Sequence, residues 1–279
     1  MSFAKWVVKV GWATMSREFL ELPSRPDKPR RAGVTMAIDK GLPFNHFVDV
    51  VTSGSDYLDF IKFGWGTSVV MKDLVKKIDV LHAEGVNFYF GGTLFEKYVL
   101  QGCYDDFRRM CHTYGCEYVE VSNGTIDLSD ERKSQYVLEL SRDFRVISEV
   151  GSKDQLKSEN MAPKKWISSI NDDLKAGATL VTLETRESGH SGMCRPNGEL
   201  RFGLVEEIVT SGLDVDRLLF EAPSNELQGY FVKRLGPNVN LGNVASSDII
   251  NLETIRLGLR SDTLFAFEEM NSRSLSIGA

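Results

Sequence analysis

Short runs of β-branched and aromatic residues recur along the chain, at Gly33–Asp39, Tyr57–Phe63, Val86–Phe90, Tyr118–Val121, Phe144–Val150, Leu180–Glu184, Leu218–Phe220 and Val239–Leu241. Each reads as a strand, and their near-continuous apolar character suits strands buried on both faces. The segments between them mostly carry apolar residues at helical spacing. Leu74, Ile78 and Leu81 share a helix face that stops at Gly85, and Ile249, Leu252, Ile255 and Leu259 share another. Strands alternating with helices, with no linker, predict an α/β protein, a single (β/α)8 TIM barrel. An open doubly wound sheet is the rival. It would usually carry a glycine-rich phosphate turn after its first strand, and "IDKGLP" at 38–43 is not GxGxxG. The barrel is placed at residues 32–264, after a short N-terminal extension (1–31) and before a polar, loosely held tail (265–279).

Composition narrows the class. The chain has 279 residues, 42% hydrophobic and 26% charged, ample for one large core. A net charge of −6 and a pI of about 5.4 argue against a nucleic-acid partner. The basic stretch Arg25, Lys28, Arg30, Arg31 is broken by Pro26 and Pro29 and reads as a solvated approach to the first strand. The longest apolar stretches fall well short of the ~20 residues of a membrane helix. Trp6 to Val10 is interrupted by Lys9 and lacks a cleavage site, so neither a membrane span nor a secretory signal is expected. Cys103, Cys111, Cys116 and Cys194 form no CxxC pair and no disulfide-scaffold spacing, which points to a reducing cytoplasm. Cys111, His112 and Cys116 cluster, but lack a fourth ligand at usable spacing for zinc.

In a barrel of this kind the chemistry sits where the strands end. Those ends are heavily charged: Asp39 and Lys40, then Lys62, then Gly91, Gly92 and Thr93, then Glu120, Ser122 and Asn123, then Glu149 and Lys153, then Glu184, Arg186 and Glu187, then Glu221, then Asn243. Glu120, Glu149, Glu184 and Glu221 stand at equivalent depths on successive strands, so several should converge on one mouth. Two carboxylates ~4 Å apart at an effective dielectric of ~20 repel by about 4 kcal/mol, so positive charge must join them. Lys62, lodged between Ile61 and Phe63 where a core residue is expected, gains an explanation as that charge. Lys153, Arg186 or a divalent cation are the other candidates. Oxygen donors with no histidine at any strand end suit Mg²⁺ rather than zinc. His46, His82 and His112 fall in predicted helices and read as structural. His190 alone lies near the mouth, in a glycine-rich connection at 186–198 that reads as a lid or an ordered insertion.

The stretches "DYLDFIKFGWGTS" (56–68), "GGTLFEKY" (91–98), "SEVGSK" (148–153), "RESG" (186–189), "FEAP" (220–223) and "LETIRLGLRSDT" (252–263) resemble, in order and spacing, the motifs of the phosphosulfolactate synthase family. The similarity runs from about Leu20 to Thr263. It implies a Mg²⁺-dependent (β/α)8 carbon–sulfur lyase that adds sulfite to C3 of phosphoenolpyruvate through an enediolate. The product, 2-phospho-3-sulfolactate, leads towards coenzyme M or sulfolactate. On this resemblance Glu120, Glu149 and Glu184 are the expected metal ligands and Lys153 the acid that protonates C2, with a pKa lowered by desolvation. Lys62 and Arg186 clamp phosphate or sulfite. Asp39, Lys40, Gly91, Gly92, Ser122, Asn123, Glu187, Ser188, Glu221, Gly242 and Asn243 complete the substrate site, with backbone amides near Gly92 and Gly242 on the phosphate. The chain departs from the family pattern at Ser152, where archaeal relatives place a second lysine, and at Asn123, where they place an aspartate. The expected assembly is a homo-oligomer. The alternatives are another phosphoenolpyruvate-using lyase and a non-catalytic barrel related to plant heat-stress proteins, which also resemble the family.

Overall fold

In the computed structural model, which describes residues 19–185 and 191–267, eight parallel strands form one sheet in the order β3-β2-β1-β8-β7-β6-β5-β4. They are β1 (Thr35–Asp39), β2 (Phe60–Phe63), β3 (Asn87–Phe90), β4 (Tyr118–Val121), β5 (Arg145–Val150), β6 (Ala178–Leu183), β7 (Leu218–Glu221) and β8 (Leu241–Ala245). β3 and β4 close the ring side by side without a hydrogen-bonded ladder between them. Helices follow the strands, among them Phe44–Gly54, Leu74–Ala83, Gly92–Leu100, Asp130–Leu140, Pro163–Ala176, Asn225–Leu235 and Ile249–Arg256. The expected barrel is the one that forms. Among the described residues no helix is long and apolar enough to cross a membrane.

The strand period of two sorts the side chains into two cores. Ala37, Ile61, Phe63, Phe88, Phe90, Val119 and Val121 face outward and pack under the helices. Val34, Met36, Phe60, Tyr89, Tyr118, Ile147, Leu180 and Leu219 face inward and plug the barrel, with Phe60 edge-on to Tyr118 at 4.7 Å between ring centroids. Each fully buried side chain of this size contributes about 1.5–3 kcal/mol. One pleat above the plug lies the mouth. Lys62 therefore stands over Phe60, Glu120 over Tyr118, Glu149 over Ile147 and Glu221 over Leu219. Lys62 and its apolar neighbours Ile61 and Phe63 simply face opposite sides of the sheet.

The structure corrects several sequence expectations. The last strand begins at Leu241 rather than ending there, because Gly242 and Asn243 are a bulge and not a turn: Thr35 pairs with Leu241 and Ala37 with Val244, leaving one extra residue on β8. Leu259 lies beyond the final helix and is exposed. Of the basic residues in that stretch only Arg31 is exposed; the other three side chains are engaged. Arg25 binds Glu253 and the Gly33 and Pro237 carbonyls, Lys28 donates to the Ser55 and Leu58 carbonyls, and Arg30 reaches Asp59. These residues tie the chain across the end of the barrel opposite the mouth. In the tail, Phe267 is buried against the core; residues 268–279, like 1–18, lie outside those described.

Candidate active site

The converging charges meet. Lys62 Nζ lies 2.9 Å from Glu120 Oε1, 3.4 Å from Glu149 Oε2 and 3.5 Å from Glu221 Oε1, all buried. Burial alone would drive the proton off Lys62, but the three glutamates outweigh it and hold the ammonium well above lysine's ordinary range. The second oxygen of Glu120 accepts the Gly92 N–H, joining β4 to the helix after β3 across the unladdered seam. Gly92 has no room for a side chain: a Cβ there would come within 2.6 Å of Ser122 Cβ.

Glu149, Glu184 and Glu221 each place a carboxylate oxygen within 4.8 Å of the others. Burial opposes the charge on Glu149, yet Lys153, Lys62 and Ser122 hold its carboxyl below the usual range. Burial, with Glu149 and Glu221 beside it, pushes Glu184 well above that range, and Glu184 shares a hydrogen bond with Glu149. Glu221 is pushed up to about 7 by burial and by Glu149 and Glu120, against the pull of Lys62 and the Thr185 N–H. Its Oε1 is buried without a hydrogen-bond partner. Three buried carboxylates this close favour positive charge between them, and an all-oxygen donor set suits a hard ion such as Mg²⁺. The trio that fits is Glu149, Glu184 and Glu221; Glu120, expected among the ligands, is taken up by Lys62 and Gly92.

Lys153 lies 3.1 Å from Glu149 Oε1, 4.0 Å from Glu96 Oε2 and 3.3 Å from Thr93 Oγ1. Burial works to lower its pKa, but Glu149, Glu184 and Glu96 prevail and raise it, contrary to the lowered value expected. Lys153 is a firmly protonated ammonium on the wall of the cavity. Ser122 Oγ, 2.8 Å from Glu149 Oε1, and Lys133, which donates to the Glu149 carbonyl at 2.9 Å, fix the Glu149 end of β5.

Lys62, Glu149, Lys153, Glu184 and Glu221 line a cavity of about 800 Å³ at the mouth, together with Ile38, Trp65, Gly92, Thr93, Gly124, Thr125, Asp154 and Asn243, while Glu120 and Ser122 stand behind its wall. Other expected site residues lie elsewhere. Asp39 is consumed by Lys77 (2.6 Å) and by the Gly41 and Leu42 N–H groups, and Lys40 is exposed outside the cavity. Asn123 ties down its own loop through the Leu128 carbonyl and Asp130. Gly91 serves a close backbone approach, and Gly242 packs inside the barrel, where a Cβ would come within 2.8 Å of Met36. Arg186, Glu187, Ser188 and His190 lie outside the described residues. Of the described remainder of that connection, residues 191–194 are buried, with Met193 in the core and Gly192 and Ser158 exchanging hydrogen bonds, and residues 195–198 are exposed. Cys111 and Cys116 are buried free thiols, and His112 stacks on Phe144; among the described residues no metal-sized grouping includes them. Sequence reasoning overlooked Glu96, Trp65 and Thr125. Glu96 hid inside a helix, and only its buried position over Ser122 and the Thr125 N–H reveals it.

Comparison with known proteins identifies the family. A family model described as (2R)-phospho-3-sulfolactate synthase (ComA) matches residues 23–262. Phosphosulfolactate synthase of Bacillus subtilis (strain 168) is 49% identical over 246 residues, covering 88% of this chain and 98% of that protein. Phosphosulfolactate synthase of Methanothermobacter thermautotrophicus is 40% identical, covering 87% and 95%. Protein HEAT-STRESS-ASSOCIATED 32 of Arabidopsis thaliana is 26% identical over 268 residues, covering 86% and 91%. Among solved structures, a 3-hexulose-6-phosphate synthase superposes with a TM-score of 0.51 at 13% identity, over 80% of this chain and 98% of that one, a likeness of fold alone. With its family model spanning nearly all of the barrel and its bacterial and archaeal relatives matched along their whole length, the chain belongs to the (2R)-phospho-3-sulfolactate synthase family of carbon–sulfur lyases.

Proposed function

We propose that this chain adds sulfite to C3 of phosphoenolpyruvate with Mg²⁺ bound, giving 2-phospho-3-sulfolactate. The observation that carries the reading is the buried mouth itself, where Lys62 and Lys153 stand beside a carboxylate trio poised for a divalent cation. In the reaction the sulfur lone pair of sulfite forms the C–S bond at C3. The π pair of the double bond moves towards C2 and the substrate carboxylate, and a proton then reaches C2. A bound Mg²⁺, held by Glu149, Glu184 and Glu221, supplies concentrated positive charge beside that carboxylate as its negative charge grows.

The chain's own residues supply the rest. Lys62, kept cationic by its glutamates, attracts an anionic oxygen of the substrate. Lys153 is the acid: its Nζ faces the cavity, carries a proton and, with 21% of its side chain exposed, regains one from solvent. Its proton passes to C2 as negative charge develops there. Thr93 and Thr125 offer hydroxyls to phosphate or sulfite on the same wall. Arg186, from the motif "RESG", is proposed as an additional anion clamp. We place the enzyme in the cytoplasm as a homo-oligomer.

The test is incubation of purified protein with phosphoenolpyruvate, Mg²⁺ and either sulfite or other small nucleophiles, with products followed by mass spectrometry. An adduct with sulfite alone is expected. Addition of a different nucleophile would identify another phosphoenolpyruvate-using lyase, and no adduct at all would support the non-catalytic reading that the 26% identical heat-stress protein raises.

A further inference from the structure

Among the described residues, apart from glycines, the cavity wall is charged or polar everywhere except at Ile38 and Trp65. Gly64, just before Trp65, packs so closely on Ile38 that a Cβ there would come within 3.0 Å of Ile38 Cδ1. Together Ile38 and Trp65 form one apolar wall on the β1–β2 side of the mouth, and β1 stands opposite β5, the strand that leads into Lys153.

Trp65 is held there against its own preference. Its φ is +51°, in the left-handed region that aromatic residues avoid and glycine accepts readily. The surroundings impose the conformation. Gly64 N–H donates to the Asp39 carbonyl and Gly91 N–H to the Phe63 carbonyl, both at 2.9 Å, and a Cβ at Gly91 would come within 2.8 Å of Trp65 N. Glycine would relieve the strain and stands on either side, in "GWG". Burial does not explain the indole either, because Trp65 is 44% exposed. Strain kept at the rim of a site marks a side chain retained for what it does there.

Resting on the reaction proposed above, we infer that Trp65 is a specificity-determining residue whose indole, with Ile38, limits the size of the substituent at C3 of the substrate. Phosphoenolpyruvate is charged at its phosphate and its carboxylate, and those ends are drawn to Lys62, Lys153 and a cation held by the carboxylate trio. The uncharged methylene is left for the one wall that desolvates it without penalty. A methyl group on that carbon meets the indole. Pockets that discriminate one carbon do so by about 10- to 200-fold.

The experiment compares phosphoenolpyruvate with its C3-methyl homologue, the phosphoenol form of 2-oxobutanoate, in the wild type, Trp65→Phe and Trp65→Gly. The wild type is expected to favour the unsubstituted compound at least tenfold in kcat/KM with sulfite. Trp65→Gly, which also relieves the backbone, lowers that ratio at least tenfold, and Trp65→Phe falls between. An unchanged ratio in Trp65→Gly overturns the assignment whatever happens to absolute rates. Dissociation constants of both compounds, measured by calorimetry with Mg²⁺ and no sulfite, carry the same expected ratios. A wild type that binds but does not turn over refutes the reaction while the wall is still tested; a wild type that binds neither compound refutes both.

Discussion

Lys62 and Lys153 touch the same glutamate, Glu149, yet differ in what their removal does. Lys62 is buried with three carboxylates, so Lys62→Met leaves uncompensated charge inside the barrel. A loss of roughly 3–5 kcal/mol of stability in chelator is expected, together with loss of turnover, and urea denaturation measures it. Lys153 lies at the edge, so Lys153→Ala keeps a near-wild-type melting profile and lowers turnover by about 10²–10⁴-fold; near-wild-type rates would reject it as the acid. Glu221 gives the pH dependence. Its carboxyl titrates near 7 in the fold against an ordinary 4.5, so the folded state holds a proton that the unfolded state has lost. Its contribution to stability is present below about 4.5 and declines as pH rises towards 7. On the proposed reading, Mg²⁺ bound by the trio displaces protons from this cluster. The thermal shift that Mg²⁺ produces should therefore grow between pH 6 and pH 8, and a shift that is flat or shrinks over that interval would contradict the trio as its ligands. Most of these residues were legible at strand ends; which glutamates pair with lysine and which with one another was not, because that depends on side-chain reach across the ring.

At the scale of the element, the bulge in β8 decides how Asn243 reaches the cavity. The extra residue turns its side chain to the mouth, and its φ of +53° is one that asparagine tolerates better than most residues. Asn243→Gly should keep the stability of the fold, whereas Asn243→Ala should cost about 1 kcal/mol, read by thermal denaturation. Equal stability of the two would deny that the left-handed backbone matters. In the sequence the apolar run stopped at Leu241 and Asn243 read as a residue at the strand's end, because a Gly-Asn pair gives no apolar signal of a continuing strand. The strands β1 to β7 were found within a few residues of their ends because apolar runs survive wherever helices cover them. Period two was hidden for the same reason, with inward and outward residues both apolar until the mouth, where Lys62, Glu120 and Glu149 break the run.

Across the whole molecule, chemistry and cohesion occupy opposite ends of the barrel. At the end away from the mouth, buried Arg256 donates to the carbonyls of Pro237 (2.7 Å), Val239 (2.6 Å) and Val34 (3.1 Å), and Arg25 bridges Glu253 nearby. Arg256→Met orphans buried carbonyls and should cost roughly 2–4 kcal/mol in denaturation, while kcat/KM with phosphoenolpyruvate stays within about twofold. A large loss of activity in the folded variant would deny that separation. The sequence showed eight units and a charged rim but not this arginine closure, since a basic stretch broken by prolines carries no sign of the backbone carbonyls it will meet. The central claim is that the rim joins sulfite to phosphoenolpyruvate with the phosphate retained. Phosphorus NMR of the enzyme with both substrates and Mg²⁺ tests it most directly. The account predicts that the phosphoenolpyruvate resonance gives way to one new phosphate-ester resonance, only when sulfite is present. An unchanged spectrum, or release of inorganic phosphate, would contradict it.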